Sequence, residues 1–129
     1  MVTGFTDRAK GKVVCNVTYT QQGGMFYSSV QDNMTAYTAG GQANATPIMQ
    51  MVSRFTTVAA AAASSVLPPA LPGAEFTVIN AAAVNAMNVF AAVAQYMNGT
   101  LNGSVSVPAG KVANFYCTAA GYWHSLVGN

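Results

Sequence analysis

The chain has 129 residues, of which five are Lys or Arg and three are Asp or Glu, so only 6% are charged, where a soluble domain usually has about a quarter. This length fits one domain with a real core, and a formal net charge of +2 argues against a nucleic-acid partner, which needs a dense basic patch. Charge normally keeps a solitary protein dispersed. We therefore expect much of this surface to be covered by copies of the chain or by a partner.

Half of the charged side chains lie near the N-terminus, at Asp7, Arg8, Lys10 and Lys12. This segment has no hydrophobic periodicity, which predicts an extended arm over residues 1–12 followed by one domain over residues 13–129. No apolar stretch typical of a secretory signal follows the charged residues, and no run reaches the ~20 apolar residues of a membrane span. We expect a cytoplasmic product, or one that is assembled in the cytoplasm, with no membrane partner.

Short strand patterns separated by turn residues run along the domain. Residues 13–20 alternate apolar and polar side chains, and a turn signal at residues 21–24 predicts a hairpin with residues 25–30. Residues 38–47 have the composition of a loop, and no repeat of 20–50 residues is recognisable. Further strands are predicted at residues 48–58, 74–80, 104–107, 111–118 and 122–127. The pattern favours an all-β fold, as a β-sandwich or a jelly roll.

Residues 81–97 are compatible with two structures. Apolar side chains recur at nearly helical spacing, at Val84, Met87, Phe90, Val93 and Met97. The strand alternative places Met87 and Val89 on one face and Asn88 and Phe90 on the other. Because the segment is rich in Ala, propensity alone slightly favours the helix.

Groups that could catalyse a reaction or bind a metal are few and scattered. The carboxylates are Asp7, Asp32 and Glu75, and His124 is the one histidine. A zinc site would need Cys15, Cys117 and His124 to converge, and no ligand spacing supports it. We therefore expect a protein that is not an enzyme and has no metal or cofactor. The two cysteines are expected to be buried free thiols, with pairing in an oxidising compartment as the alternative.

Tyr122 and Trp123 form an aromatic pair near the C-terminus. Such a pair could stack on a sugar at the surface. Alternatively, it caps a core or lies in an interface.

Several strings in the chain occur in a characteristic order. They are RFTTV at 54–58, FTVIN at 76–80, AMNVF at 86–90, MNG at 97–99, AGK at 109–111 and FYCTAAGYWH at 115–124. Over residues 40–126 they resemble a family of small structural proteins of tailed bacteriophages. The resemblance implies a capsid or tail component with β structure through residues 76–124, which favours strands over a helix in the ambiguous segment. The chain departs from the family at residues 91–95, where AAVAQ replaces a turn with Pro and Gly.

These observations together predict a capsid decoration (cement) protein that forms a homotrimer on the capsid exterior of the virion. Its partner would be the major capsid protein, which the arm would contact through Phe5, Arg8, Lys10 and Lys12. One alternative is a tail, neck or fibre component that binds a host surface glycan through Tyr122 and Trp123. Others are a self-assembling shell subunit and a small enzyme.

Overall fold

The computed structural model describes Thr6–Asp7, Lys12–Val13, Gln21–Gln22 and residues 25–128, with side chains from residue 27 onward. These residues form strands and no helix, so the prediction of an all-β fold is confirmed. In chain order the strands are β1 (Thr6–Asp7), β2 (Lys12–Val13), β3 (Gln21–Gln22), β4 (Met25–Phe26), β5 (Val30–Thr35), β6 (Thr46–Pro47), β7 (Val52–Thr57), β8 (Ala63–Val66), β9 (Glu75–Asn80), β10 (Met87–Phe90), β11 (Tyr96–Met97), β12 (Thr100–Leu101), β13 (Ser104–Val107), β14 (Val112–Ala119) and β15 (Tyr122–Gly128).

The N-terminal strands form two small antiparallel pairs. Strand β3 pairs with β4 antiparallel, so Gln21 and Gln22, which were predicted to lie in the turn of the hairpin, belong to a strand instead. Strand β1 pairs with β2, which joins the predicted arm to the first residue of the predicted domain. The remaining residues of the arm and of the strand predicted at 13–20 lie outside the described residues.

Two larger sheets carry the rest of the fold, with strand orders β12-β11-β15-β14-β9-β7-β5 and β13-β10-β8-β6. From β5 to β10 the chain alternates between these sheets. Strands β5, β7 and β9 are therefore parallel neighbours in the larger sheet, and β6, β8 and β10 are parallel neighbours in the smaller one. This wound path differs from the antiparallel order of a jelly roll.

The wound path is a structural repeat without a sequence repeat. Val30 pairs with Val52, and Val52 in turn pairs with Thr77. The two intervals along the chain are unequal because the connecting turns differ in length, and most paired positions carry different residue types. The strands therefore show no fixed period that can be recognised from the sequence. After β10 the pairing becomes mostly antiparallel, with β14 inserted between β9 and β15.

The buried side chains of both sheets form one hydrophobic cluster. The larger sheet contributes Phe55, Val78, Phe115 and Trp123, and the smaller sheet contributes Met87 and Val89, all with no exposed surface. On β14, Ala113, Phe115 and Cys117 share the face that points into the core, and all three are buried. Cys117 is a free thiol whose Sγ donates to the Ala119 carbonyl at 3.0 Å. Cys15 lies outside the described residues.

The strand alternative for residues 81–97 is confirmed and the helix is wrong. Met87 and Val89 are fully buried, while Asn88 and Phe90 are partly exposed. Strand β10 pairs with β8 on one side and β13 on the other. These tertiary hydrogen bonds satisfy the backbone and outweigh the helix propensity of the Ala-rich flanks.

Candidate interaction surface

The candidate chemical groups do not converge in the described part of the chain. Asp32 accepts a hydrogen bond from Arg54 Nη1 at 2.9 Å, and both side chains are exposed. That bond, followed by the bond from the Asn33 N–H, lowers the pKa of Asp32. Glu75 and His124 lie on the outer face of the larger sheet, on either side of Tyr116.

Within residues 25–128 and the three described N-terminal pairs of residues, no group of three His, Cys, Asp or Glu is placed to hold a metal ion. The same residues contain no helix long and apolar enough to cross a membrane.

The predicted capsid-contact residues fall in the N-terminal segment. Phe5, Arg8 and Lys10 lie outside the described residues. Lys12 belongs to β2, where its backbone is opposite Asp7. The contact role of the arm therefore stays a prediction.

The predicted surface role of Trp123 is wrong, because the side chain is fully buried. Strand β15 alternates, so Trp123 points into the core while Tyr122 and His124 point outward. The Trp123 ring contacts Phe76 edge-on, with ring centroids 5.7 Å apart and planes at 76°. No stacking platform can include a ring that has no surface.

Tyr122 instead pairs with Tyr96. The two rings are stacked, with centroids 4.8 Å apart and planes at 11°. Strands β11 and β15 are parallel neighbours and place the two residues directly opposite each other. Among the described residues, the exposed Tyr122 thus stacks on the partly buried Tyr96. The two residues lie far apart in the sequence and meet only in the folded sheet.

The turns that lead from the smaller sheet to the larger sheet stack at one end of the molecule. Because β6, β8 and β10 are parallel, the chain leaves each of them at the same end. Ile48 N donates to Val66 O, and Leu67 N donates to Phe90 O, both at 2.9 Å. The turn before β15 inserts beside this stack, since Gly121 N donates to the Ala70 carbonyl at 3.0 Å.

Large apolar side chains protrude from this end. Met49 is 70% exposed, Leu71 65% and Val93 70%, one from each of the three successive turns. Exposed apolar side chains at adjacent strand positions extend the surface. We call the whole set the apolar belt: Val30, Met49, Met51, Leu71, Val93, Tyr116 and Tyr122.

Charge is nearly absent from the turns that carry the belt. The segments 48–51, 67–74, 91–95 and 119–121, which build this end, contain no Asp, Glu, Lys, Arg or His. Glu75, at the start of β9, is a charged residue that lies beside them. Exposed apolar side chains that gather at one end of a fold, with little charge among them, are typical of a site of association.

Two other regions of the described residues are protected. The loop at 36–45 covers part of the smaller sheet, where Ser64 Oγ donates to the Gly41 carbonyl and Gln42 Nε2 to the Ala91 carbonyl, both at 2.7 Å. At the β5 edge of the larger sheet the register is irregular around Asn33, whose φ is 57°. An irregular, charged edge strand resists pairing with another strand.

Sequence reasoning missed the belt because its residues come from distant turns. A weak signal exists, since Met49, Leu71 and Val93 recur at equal intervals along the chain. In a chain that is 52% hydrophobic, that spacing does not stand out without the fold.

Comparison with protein-family models, curated proteins and solved structures found no match. The resemblance to tailed-phage structural proteins therefore stays a prediction.

Proposed function

We propose that this chain is a capsid decoration protein of a tailed bacteriophage. It acts as a homotrimer on the outer capsid surface, in contact with the major capsid protein, and stabilises the shell without catalysis. The observation that carries this proposal is the apolar belt, an exposed apolar surface built on turns that contain no charged side chain. Such a surface fits a protein that functions within an assembly.

Mass action supplies the stabilising effect. A ligand that binds only the assembled shell favours it by RT ln(1 + [L]/Kd) for each site, which is about 2.7 kcal/mol at 100 times Kd. Because one shell offers many binding sites, the stabilising free energies of the sites add up. This stabilisation requires no catalytic side chain.

The charged N-terminal segment is the proposed contact with the capsid. Four of the chain's charged side chains lie in residues 1–12, and contacts between exposed charges are screened as salt rises. Attachment through Arg8, Lys10 and Lys12 is therefore salt-sensitive.

For the fold, we propose a sandwich-like arrangement in which the two larger sheets pack face to face. The shared core cluster, with Phe55 and Phe115 from one sheet and Met87 and Val89 from the other, supports it. The chain path within this sandwich is wound in its first half instead of following a jelly roll.

Co-sedimentation with emptied phage heads that lack the protein tests the function. The full chain is expected to bind at a saturable ratio and to raise the temperature at which the heads disrupt. A variant with Arg8→Gln, Lys10→Gln and Lys12→Gln should bind more weakly, while Lys111→Gln, which also removes a basic charge, should bind as the wild type does. Failure of the full chain to bind at low salt would refute the proposal.

A glycan-binding tail component is a second candidate, favoured by the half-exposed Tyr122 stacked on Tyr96. It requires saturable binding of host surface glycan that Tyr122→Ala abolishes. Head binding without glycan binding would remove this candidate.

A further inference from the structure

We infer that the apolar belt is the contact between copies of this chain. In this arrangement the belts of neighbouring copies pack together around a rotation axis, with Met49, Leu71 and Val93 nearest the axis. The inference rests on the proposed function, in which the protein works as an oligomer, and it names the surface and the partner.

The size of the belt matches what a stable interface needs. If a large apolar residue has a full surface of about 200 Å², the exposed fractions of the seven residues correspond to about 800 Å² in total. The largest apolar patch on a typical monomer is about 300–600 Å². A stable interface buries about 800 Å² on each partner. The belt is therefore too large for an ordinary free surface and close to one half of an interface.

The charge pattern favours a second copy as the occupant. Around a rotation axis, the residues nearest the axis meet their own copies, so a charged group there would face a like charge. The turns of the belt have no charged side chain and no histidine, and self-contact there desolvates no ion. Glu75 and His124 lie on either side of Tyr116 and are both exposed, so they can stay in water at the rim.

The shape also suits packing around an axis. Neighbouring strands in a sheet are about 4.8 Å apart, so the turns that follow β6, β8 and β10 rise in regular steps. Each turn presents one strongly exposed apolar side chain at this end, namely Met49, Leu71 or Val93. The irregular β5 edge and the two-residue strand β12 at the opposite edge disfavour association by strand pairing. Association through the edges of the larger sheet is thus less favourable than association through the belt.

Two substitutions that place a lysine in the belt, and one matched control, test the inference. Light scattering over a concentration series measures the mass of each variant in solution. The wild type should have a mass that is a multiple of 13.3 kDa. Leu71→Lys and Val93→Lys should each raise the dissociation constant at least about 100-fold, as expected when a central anchor of an interface is lost. Val84→Lys should leave it unchanged, because Val84 is 80% exposed but lies in the turn between β9 and β10, at the other end of the strands. Circular dichroism verifies that each variant folds.

A cysteine variant gives an independent readout. Val93→Cys in a Cys15→Ser background should form a disulfide-linked dimer on oxidation, whereas Val84→Cys should not. The remaining Cys117 is buried.

The inference is overturned if the wild type is a monomer at all concentrations, or if the two belt variants keep the wild-type mass. A monomeric wild type whose belt variants lose head binding would assign the belt to the capsid protein. An oligomer that depends on the belt but never binds heads would uphold the inference and refute the proposed function.

Discussion

Replacing Asn80 by alanine is expected to destabilise the fold by about 3 kcal/mol. The Asn80 amide is fully buried and makes three hydrogen bonds. Its Nδ2 donates to the carbonyls of Asn85 and Val107, each at 2.9 Å, and its Oδ1 accepts from the Ala82 N–H at 3.1 Å. Each intramolecular bond contributes about 1 kcal/mol net, and the groups left without a partner add a desolvation penalty. Since small domains have only about 5–15 kcal/mol of stability, the effect should be easy to measure.

Urea denaturation, followed by the fluorescence of Trp123 at fixed protein concentration, measures the change. With an m-value of about 1.5 kcal/mol per M, the midpoint should fall by about 2 M. Ser65→Ala is the matched control, because Ser65 is equally buried but its Oγ has no hydrogen-bond partner among the described residues. It should change stability by less than about 1 kcal/mol. If both variants shift the midpoint equally, the proposed network around Asn80 is wrong.

Two further predictions concern the backbone and the exposed ion pair. Gly40→Ala should lower the melting temperature more than Gly41→Ala. Both residues have positive φ, but a Cβ at Gly40 would approach the Ala62 carbonyl oxygen to 2.8 Å, while one at Gly41 meets nothing within 4 Å; equal losses would contradict this packing. Arg54→Gln should raise the pKa of Asp32 toward its ordinary value of 3.8, as measured by NMR titration, because the Arg54 hydrogen bond is the main cause of its lowering. The folded-state pKa lies below the unfolded one, so the pair stabilises the fold above the unfolded pKa, and this contribution disappears as pH falls through the folded pKa. An unchanged pKa in the variant would show that the pair does not persist in solution.

The strands that were predicted well from the sequence have clear local signals. Strand β13 has the predicted bounds, because Pro108 and Gly110 end it and its residues alternate. Strand β8, Ala63–Val66, was missed, since Ala and Ser have low strand propensity. The structure places it centrally in the smaller sheet, where Ala63, Ser64 and Ser65 are fully buried. Small residues fit there because the loop at residues 36–45 packs closely against the strand. Nothing in the sequence around residues 63–66 indicates that contact.

The apolar belt was harder to predict from the sequence than the strands were. The low charge of the chain predicted a surface that needs covering, but its location depends on how parallel winding stacks the turns that carry Met49, Leu71 and Val93. The interpretation of Tyr122 and Trp123 as one surface pair failed because adjacent residues on a strand point to opposite faces. The sequence alone does not show which of the two faces the core.

The copy number of this chain in purified virions is the most direct test of its role as a decoration protein. Quantitative mass spectrometry of the phage whose genome encodes the chain, calibrated against the major capsid protein, measures it. We expect a fixed ratio to the capsid protein, with the chain retained in tailless heads. Absence from the virion, or a few copies that separate with the tails, would contradict the account.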